Sequence, residues 1–300
     1  MKALRPAIIL LFAVNSLHAQ NDLLGELNKL DSNATVPVQA TFKSTRIING
    51  HSVETVKKNH MDFRISHRFG RLNSGSYQLY GLDQATLRLG FEYGISNDLM
   101  IGVGRSTEQK AFDFFGKYRL IKQTTGARQI PLSVTLFGSA AIRTLRPVLE
   151  DEVTRSFKNK LTYVYQALIA RKFSERLSLQ ITPTYLYRNL PELAGDKRGL
   201  FSVGLGGRLK LSKRVSVNAE YFWAAHDKNA TLPYHDSMAF GVDIETGGHV
   251  FQLHFTNSLG MIEKQFIGET TGSWGKGDVH YGFNISRTFS FDKKSKKVQY

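Results

Sequence analysis

With 300 residues, 41% hydrophobic and 22% charged side chains and 26 glycines, the chain has too much core material for disorder and too little glycine for a collagen. It lacks any run of about 18 apolar residues, which excludes helical membrane spans, and it lacks cysteine, which excludes thiol nucleophiles, thiolate metal sites, disulfides and a lipidated N-terminal cysteine. The formal charge of +15 first suggests a nucleic-acid binder, a suggestion the N-terminus argues against.

Lys2 and Arg5 precede an apolar run over 6–14 and a small-residue end at 17–19, the pattern of a secretory signal peptide spanning 1–19. Its removal takes away two cations and no acid, leaving +13 on a chain exported away from cytoplasmic nucleic acid. Such a chain meets anionic headgroups or anionic solutes instead. Residues 20–58 are expected to form a periplasmic or luminal segment. Leu23, Leu24, Leu27 and Leu30 stripe one face of a short helix capped near Asp22, and the stretch FKSTRIINGHS concentrates Lys43, Arg46 and His51 in a β-prone run with a turn signal at Asn49-Gly50. Two readings of that stretch stand. Lys43 and Arg46 form a luminal constriction that attracts anions or pairs with Glu92, Asp243 or Glu245, or the stretch knits the segment to a wall.

From about residue 59 the hydrophobic period is two. Leu87, Leu89, Phe91, Tyr93 and Ile95 alternate with Thr86, Arg88, Gly90, Glu92 and Gly94, and the same split predicts strands over 61–69, 87–95, 99–105, 112–120, 132–143, 161–171, 177–187, 201–211, 215–223, 238–246, 251–257 and 279–291. Most are of bilayer-spanning length, their polar faces carry charge and glycine, and aromatic residues gather at their ends, as at Tyr93, Tyr118, Tyr187, Trp223, Tyr281 and Phe291. These three features favour a membrane barrel over a soluble sandwich, so the predicted class is all-β: a transmembrane antiparallel β-barrel of about twelve strands over 59–291, with a short N-terminal helical or plug-like segment. Short and long connections alternate, except that 121–131 is longer than its place predicts. Since outer-membrane barrels have short periplasmic turns, the strand ending near Phe291 finishes in the periplasm. A regular strand at 38–49 would make the count odd, so 36–58 is expected to be periplasmic, plugging or irregular.

ATFKSTRIINGHSVE (40–54), FRISHRFG (63–70), GLDQATLRLG (81–90) and GVGRS (102–106) followed by FDFFGKYRL (112–120) resemble a family of bacterial outer-membrane β-barrels catalogued as a domain of unknown function. The resemblance spans the chain from about Ala40. It implies a barrel in the outer membrane and carries no activity.

The polar faces supply Arg64, Arg68, Arg88, Glu92, Lys117, Arg208, Glu220, Asp243 and Glu245 as luminal candidates beside Lys43, Arg46 and His51. His60, His67, His249, His254 and His280 show no compact ligand spacing, and no nucleophile elbow occurs, so no metal, cofactor or catalytic residue is predicted. Gly204, Gly206 and Gly207 precede no helix and read as wall glycines that relieve crowding rather than a phosphate loop. TTGSWGKGD (270–278) reads as a flexible outer loop, and 292–300 as a basic periplasmic tail able to touch anionic headgroups. The aromatic final strand suits barrel-insertion machinery. The leading expectation is a non-enzymatic barrel with a net basic lumen that passes or binds a small anionic solute, contacted by Arg64, Arg88, Lys117, Arg208 and Lys43. The alternative is a closed structural or assembly barrel that binds envelope partners, which dense pairing of luminal cations with acids would favour. An outer-membrane hydrolase would need a serine, a histidine and an acid converging near the outer rim.

Overall fold

The computed structural model describes residues 34–145, 156–191, 193, 195–227, 230 and 232–292. The expected signal peptide, the leucine-striped helix and the tail beyond Asp292 lie outside the described residues. Two compact units are present. In the smaller, strand β1 (Thr35–Pro37) pairs antiparallel with β6 (Thr124–Gly126), Val36 opposite Thr125. The 121–131 connection breaks the alternation of lengths because it holds this strand.

The larger unit is a closed antiparallel barrel. Its wall consists of β2 (His60–Arg71), β3 (Ala85–Gly94), β4 (Leu99–Ser106), β5 (Phe112–Ile121), β7 (Ser133–Ile142), β8 (Leu161–Lys172), β9 (Leu177–Arg188), β10 (Gly199–Lys210), β11 (Val215–Ala224), β12 (Ser237–Thr246), β13 (His249–Thr256) and β14 (His280–Ser290). Each strand pairs with the next, and β14 closes on β2 with Ile285 opposite Ile65. The twelve strands are those the period-two pattern predicts. Strands of 8 to 12 residues suit a tilted bilayer crossing, which takes about 9–11 residues.

Burial is inverted relative to a soluble protein. Arg68 and Arg88 are each 1% exposed, while Phe201 is 66% exposed and Leu253 59%. Along β2 the even positions Asp62, Arg64, Ser66 and Arg68 face inward. An outer surface this rich in leucine and phenylalanine would aggregate in water and is stable only against hydrocarbon. The turns at 95–98, 173–176, 211–214 and 247–248 gather at one end, and the long connections 72–84, 189–198, 225–236 and 257–279 at the other. Short turns mark the periplasmic end, so the long loops face outward.

Residues 41–58 form no regular strand. They bend repeatedly, with a bridge between Arg46 and His51 and a parallel bridge from Lys58 to Gly94. A Cβ at Gly94 would lie 2.1 Å from the Lys57 carbonyl oxygen, so only glycine lets this backbone approach β3. Gly94→Ala is expected to destabilise the barrel by about 1–3 kcal/mol, read as a lower urea midpoint for refolding into liposomes. An unchanged midpoint would contradict the close approach.

Candidate functional site

The inward faces converge on residues 41–56 rather than on open space. Within Ile47–Gly50 the chain makes a tight turn, closed by Ile47 N–H donating to the Gly50 carbonyl at 2.8 Å. The N–H groups of Ile48, Asn49 and Gly50 donate to the single carboxylate of Glu220 on β11, at 3.2, 2.8 and 3.1 Å. Thr45 donates its hydroxyl to Glu92 on β3 at 2.5 Å. Arg64 on β2 donates to the Ser44 and Thr45 hydroxyls. Lys117 on β5 donates to the carbonyls of Thr45 (3.2 Å) and Glu54 (2.5 Å). Thr135 on β7, Gln180 on β9, Gln252 on β13 and Asn284 on β14 bond the backbone of Ile47, Ile48, His51 and Val53. Partners on eight strands around the ring leave one location for this segment, the lumen. Its irregular backbone is satisfied by wall side chains, as buried non-helical backbone requires.

A second segment enters from the outer end. The β13–β14 connection folds inward and forms helix α1 (Glu263–Gly268), every residue of which is buried. Arg68 donates to the Ser258 and Gly260 carbonyls, both at 2.7 Å, and Arg188 donates to the Gly268 carbonyl at 2.9 Å. Phe266 packs on Phe222 with ring centroids 5.0 Å apart.

The two segments meet. Arg46 donates through one nitrogen to the Asn49 carbonyl (2.7 Å) and to Glu263 (3.1 Å). Arg68 also reaches the Asn49 side-chain oxygen at 2.5 Å, so one guanidinium touches both segments. His51 lies between Phe115 and Phe137, with centroids 4.7 and 4.4 Å away, and 3.5 Å from Glu263. Burial, reinforced by Arg46 and Lys117, pushes its pKa well below the ordinary histidine value. The ring is therefore neutral near pH 7, and its proximity to Glu263 is not an ion pair. At the outer mouth a cavity of about 400 Å³ is lined by Gln78, Gln84, Gln109, Gln265, Arg71 and Glu269 among others.

The family model described as a membrane-bound beta barrel domain (DUF5777) matches residues 42–289. The chain belongs to this family. Its barrel therefore resides in the outer membrane, and the match begins within the luminal segment, so that segment is part of the family's domain. A comparison with curated proteins finds no match. Among solved structures, the DUF5777 barrel is similar to the NanC porin (10% identity, 77% of this chain and 100% of that chain, TM-score 0.48) and the KdgM porin (10%, 77% and 99%, 0.45). It is also similar to LpxR from Salmonella typhimurium, at 11% identity over 77% of this chain and 100% of that chain, TM-score 0.35.

In the DUF5777 barrel all twelve luminal candidates read from the sequence lie on the inner side, but the free cations expected there are engaged. Arg88 holds Asp113 through two bonds (3.0 and 2.5 Å), and Arg64 lies 3.6 Å from Asp62. Arg208 and Lys43 both reach Glu245, at 3.2 and 2.8 Å. Asp243 accepts from Gln252 at 2.6 Å. Arginine and lysine side chains here bond acids of the wall and carbonyls of the folded-in segments. Of the three acids anticipated for Lys43 and Arg46, Glu245 takes Lys43 at 2.8 Å and Glu92 lies 4.0 Å from Arg46, which also pairs with Glu263 at 3.1 Å. The loop read as flexible is tied down, Trp274 donating its indole N–H to the Met238 carbonyl and Asp278 accepting from Arg71, Asn73 and the Ser273 N–H. Those bonds hold the Asp278 carboxyl below its ordinary pKa, the Asn73 side chain contributing most. Two of the three wall glycines act as read: a Cβ at Gly204 would meet Phe222 at 2.3 Å, and one at Gly206 would meet Ile47 at 2.3 Å, whereas one at Gly207 would meet the outward-facing Leu179 at 3.2 Å.

Glu263, Asp113 and Gln180 carry much of this arrangement and were missed as site residues. A signal for Glu263 existed. Met261, Ile262, Phe266 and Ile267 put four large apolar residues into one outer loop, which is out of place unless that loop is buried.

Proposed function

We propose that this outer-membrane barrel is closed to solute passage and non-enzymatic, a structural or assembly barrel whose outer loops face envelope partners. The observation that carries this reading is the contact of Arg46 and His51 with Glu263, where the N-terminal segment and the inward loop meet in mid-lumen. A conducting path would have to separate a buried ion pair and strip Arg68 from its carbonyl partners, leaving uncompensated charge in the lumen. Four histidines of the wall and lumen are held in packing contacts. His254 lies beside Arg68, His280 bonds the Phe69 carbonyl, His67 stacks on Phe283 and His51 sits between phenylalanines, with no serine nucleophile among these contacts. Among the described residues no group of three histidines and acids could hold a metal ion.

Planar-bilayer recording tests closure. The intact protein is expected to show no steady ohmic conductance, and deletion of residues 41–56 is expected to produce open channels. Steady conductance by the intact protein would overturn the proposal and restore passage of a small solute.

The cavity at the outer mouth favours a second reading, binding without passage. Five amide side chains line it beside Arg71, Glu108, Glu269 and His280, which suits a small polar solute held by hydrogen bonds. A rise in thermal midpoint on titration with candidate solutes, abolished by Gln265→Ala, would support it.

A further inference from the structure

On the lipid-facing side, β4, β5, β7 and β8 carry a hollow that the luminal architecture does not explain. Two depressions of about 660 and 620 Å³ share Gly116, Gly138 and Tyr165. Cross-strand register sets Ile101, Gly116, Gly138 and Tyr165 in one row around the wall, with Phe114, Ala140 and Tyr163 in the row on the outer-leaflet side. The luminal glycines are forced by neighbours, but these two are not. A Cβ at Gly116 would meet nothing nearer than the Met100 carbonyl oxygen at 3.9 Å, and one at Gly138 nothing nearer than Tyr165 at 4.0 Å. Glycine in a strand interior forgoes packing and β propensity, so its presence twice on one row creates space for a body from outside the chain.

The outer end of the same strands is cationic. Arg105, exposed at the end of β4, lies over the Phe112 ring at 5.2 Å, and exposed Lys110 and Lys158 stand in the adjoining β4–β5 and β7–β8 connections. Among the described residues the nearby acid, Glu108, lines the outer-mouth cavity with Glu269. An apolar trough that runs up to three cations at the outer-leaflet boundary matches a lipid with acyl chains below and phosphate above. We propose that this face seats one molecule of a phosphorylated, multi-acyl glycolipid of the outer leaflet, acyl chains over Gly116 and Gly138, phosphate at Arg105, Lys110 and Lys158.

The test uses the intact protein in detergent, titrated with bis-phosphorylated lipid A, with the same lipid lacking phosphates, and with phosphatidylethanolamine, binding being read by native mass spectrometry. Preferential retention of the phosphorylated lipid is expected. Arg105→Gln with Lys110→Gln and Lys158→Gln should weaken it on the order of a hundredfold, at roughly fivefold per cation. Gly116→Leu with Gly138→Leu should abolish binding of both lipid A forms while circular dichroism and heat-modifiable gel mobility stay unchanged. Equal retention of all three lipids by the unaltered protein overturns the proposal without any variant. So does a leucine variant that still binds, or one whose effect is loss of a dimer, which would make the occupant a second copy of the chain.

Discussion

Glu220→Ala is expected to release the turn at Ile47–Gly50 from the wall and to lower the stability of the folded barrel by at least about 3 kcal/mol, since three backbone donors lose one charged acceptor. No other group among the described residues accepts from Ile48, Asn49 and Gly50, and burial leaves little water to replace the carboxylate. Gly50 also packs tightly here, its Cβ position lying 2.7 Å from the Phe222 ring, so the turn cannot slide to a new partner without displacing that ring. Glu220→Gln should be nearly as damaging. Its amide nitrogen presents donors to donors, and isosteric shape does not help. Urea unfolding in liposomes reads the stability, and limited proteolysis between residues 41 and 56 reads the release. If the alanine variant resisted protease as well as the unaltered protein, the Glu220 anchor would be wrong.

Arg88→Ala should cost about 3–5 kcal/mol, because it strands the buried Asp113 carboxylate that two charge-assisted bonds now satisfy. The surroundings allow little adjustment. Gly90 and Gly104 crowd the guanidinium so closely that a Cβ at either would fall within 2.7 and 2.2 Å of it. Replacing both partners, Arg88→Met with Asp113→Leu, should recover most of the loss, since a buried pair is costly mainly when halved. This cycle distinguishes a pair that balances the wall internally from a cation reserved for solute. A solute-binding arginine would lose solute affinity in the double variant as well as in the single one, whereas a structural pair would leave any affinity untouched. The same reasoning separates Arg88 from Arg46, whose partner Glu263 belongs to a different segment and whose loss should loosen the outer loop rather than the wall.

The two predictions and the proposed closure of the lumen share one cause. A barrel this small, filled with charged side chains, must satisfy each of them locally. Six strands do so by bonding the backbone of a segment that has no secondary structure of its own, and two more bond its hydroxyl side chains, which is why residues 41–56 can be irregular and still buried.

Period-two alternation, strand length and the parity of short and long connections were enough to predict twelve antiparallel strands, because the side-chain period of a strand is a local property that a bilayer on one face and a polar lumen on the other impose directly. Membership of the inner face was likewise local: Arg64, Arg88 and Glu220 are inward because their neighbours Phe63, Leu89 and Tyr221 are outward. Pairing was not local. Arg46 and Glu263 are 217 positions apart, and Glu220 is 170 from Gly50, so no spacing rule links them. Whether a luminal arginine is free or engaged depends on closure of the ring and on how far two connecting segments fold inward, and both emerge only when distant strands are brought together. The sequence alone therefore determined the wall and its location. Tertiary structure alone decided that the lumen is occupied, because electrostatic satisfaction is a property of what surrounds a charge and not of the residues beside it in the chain.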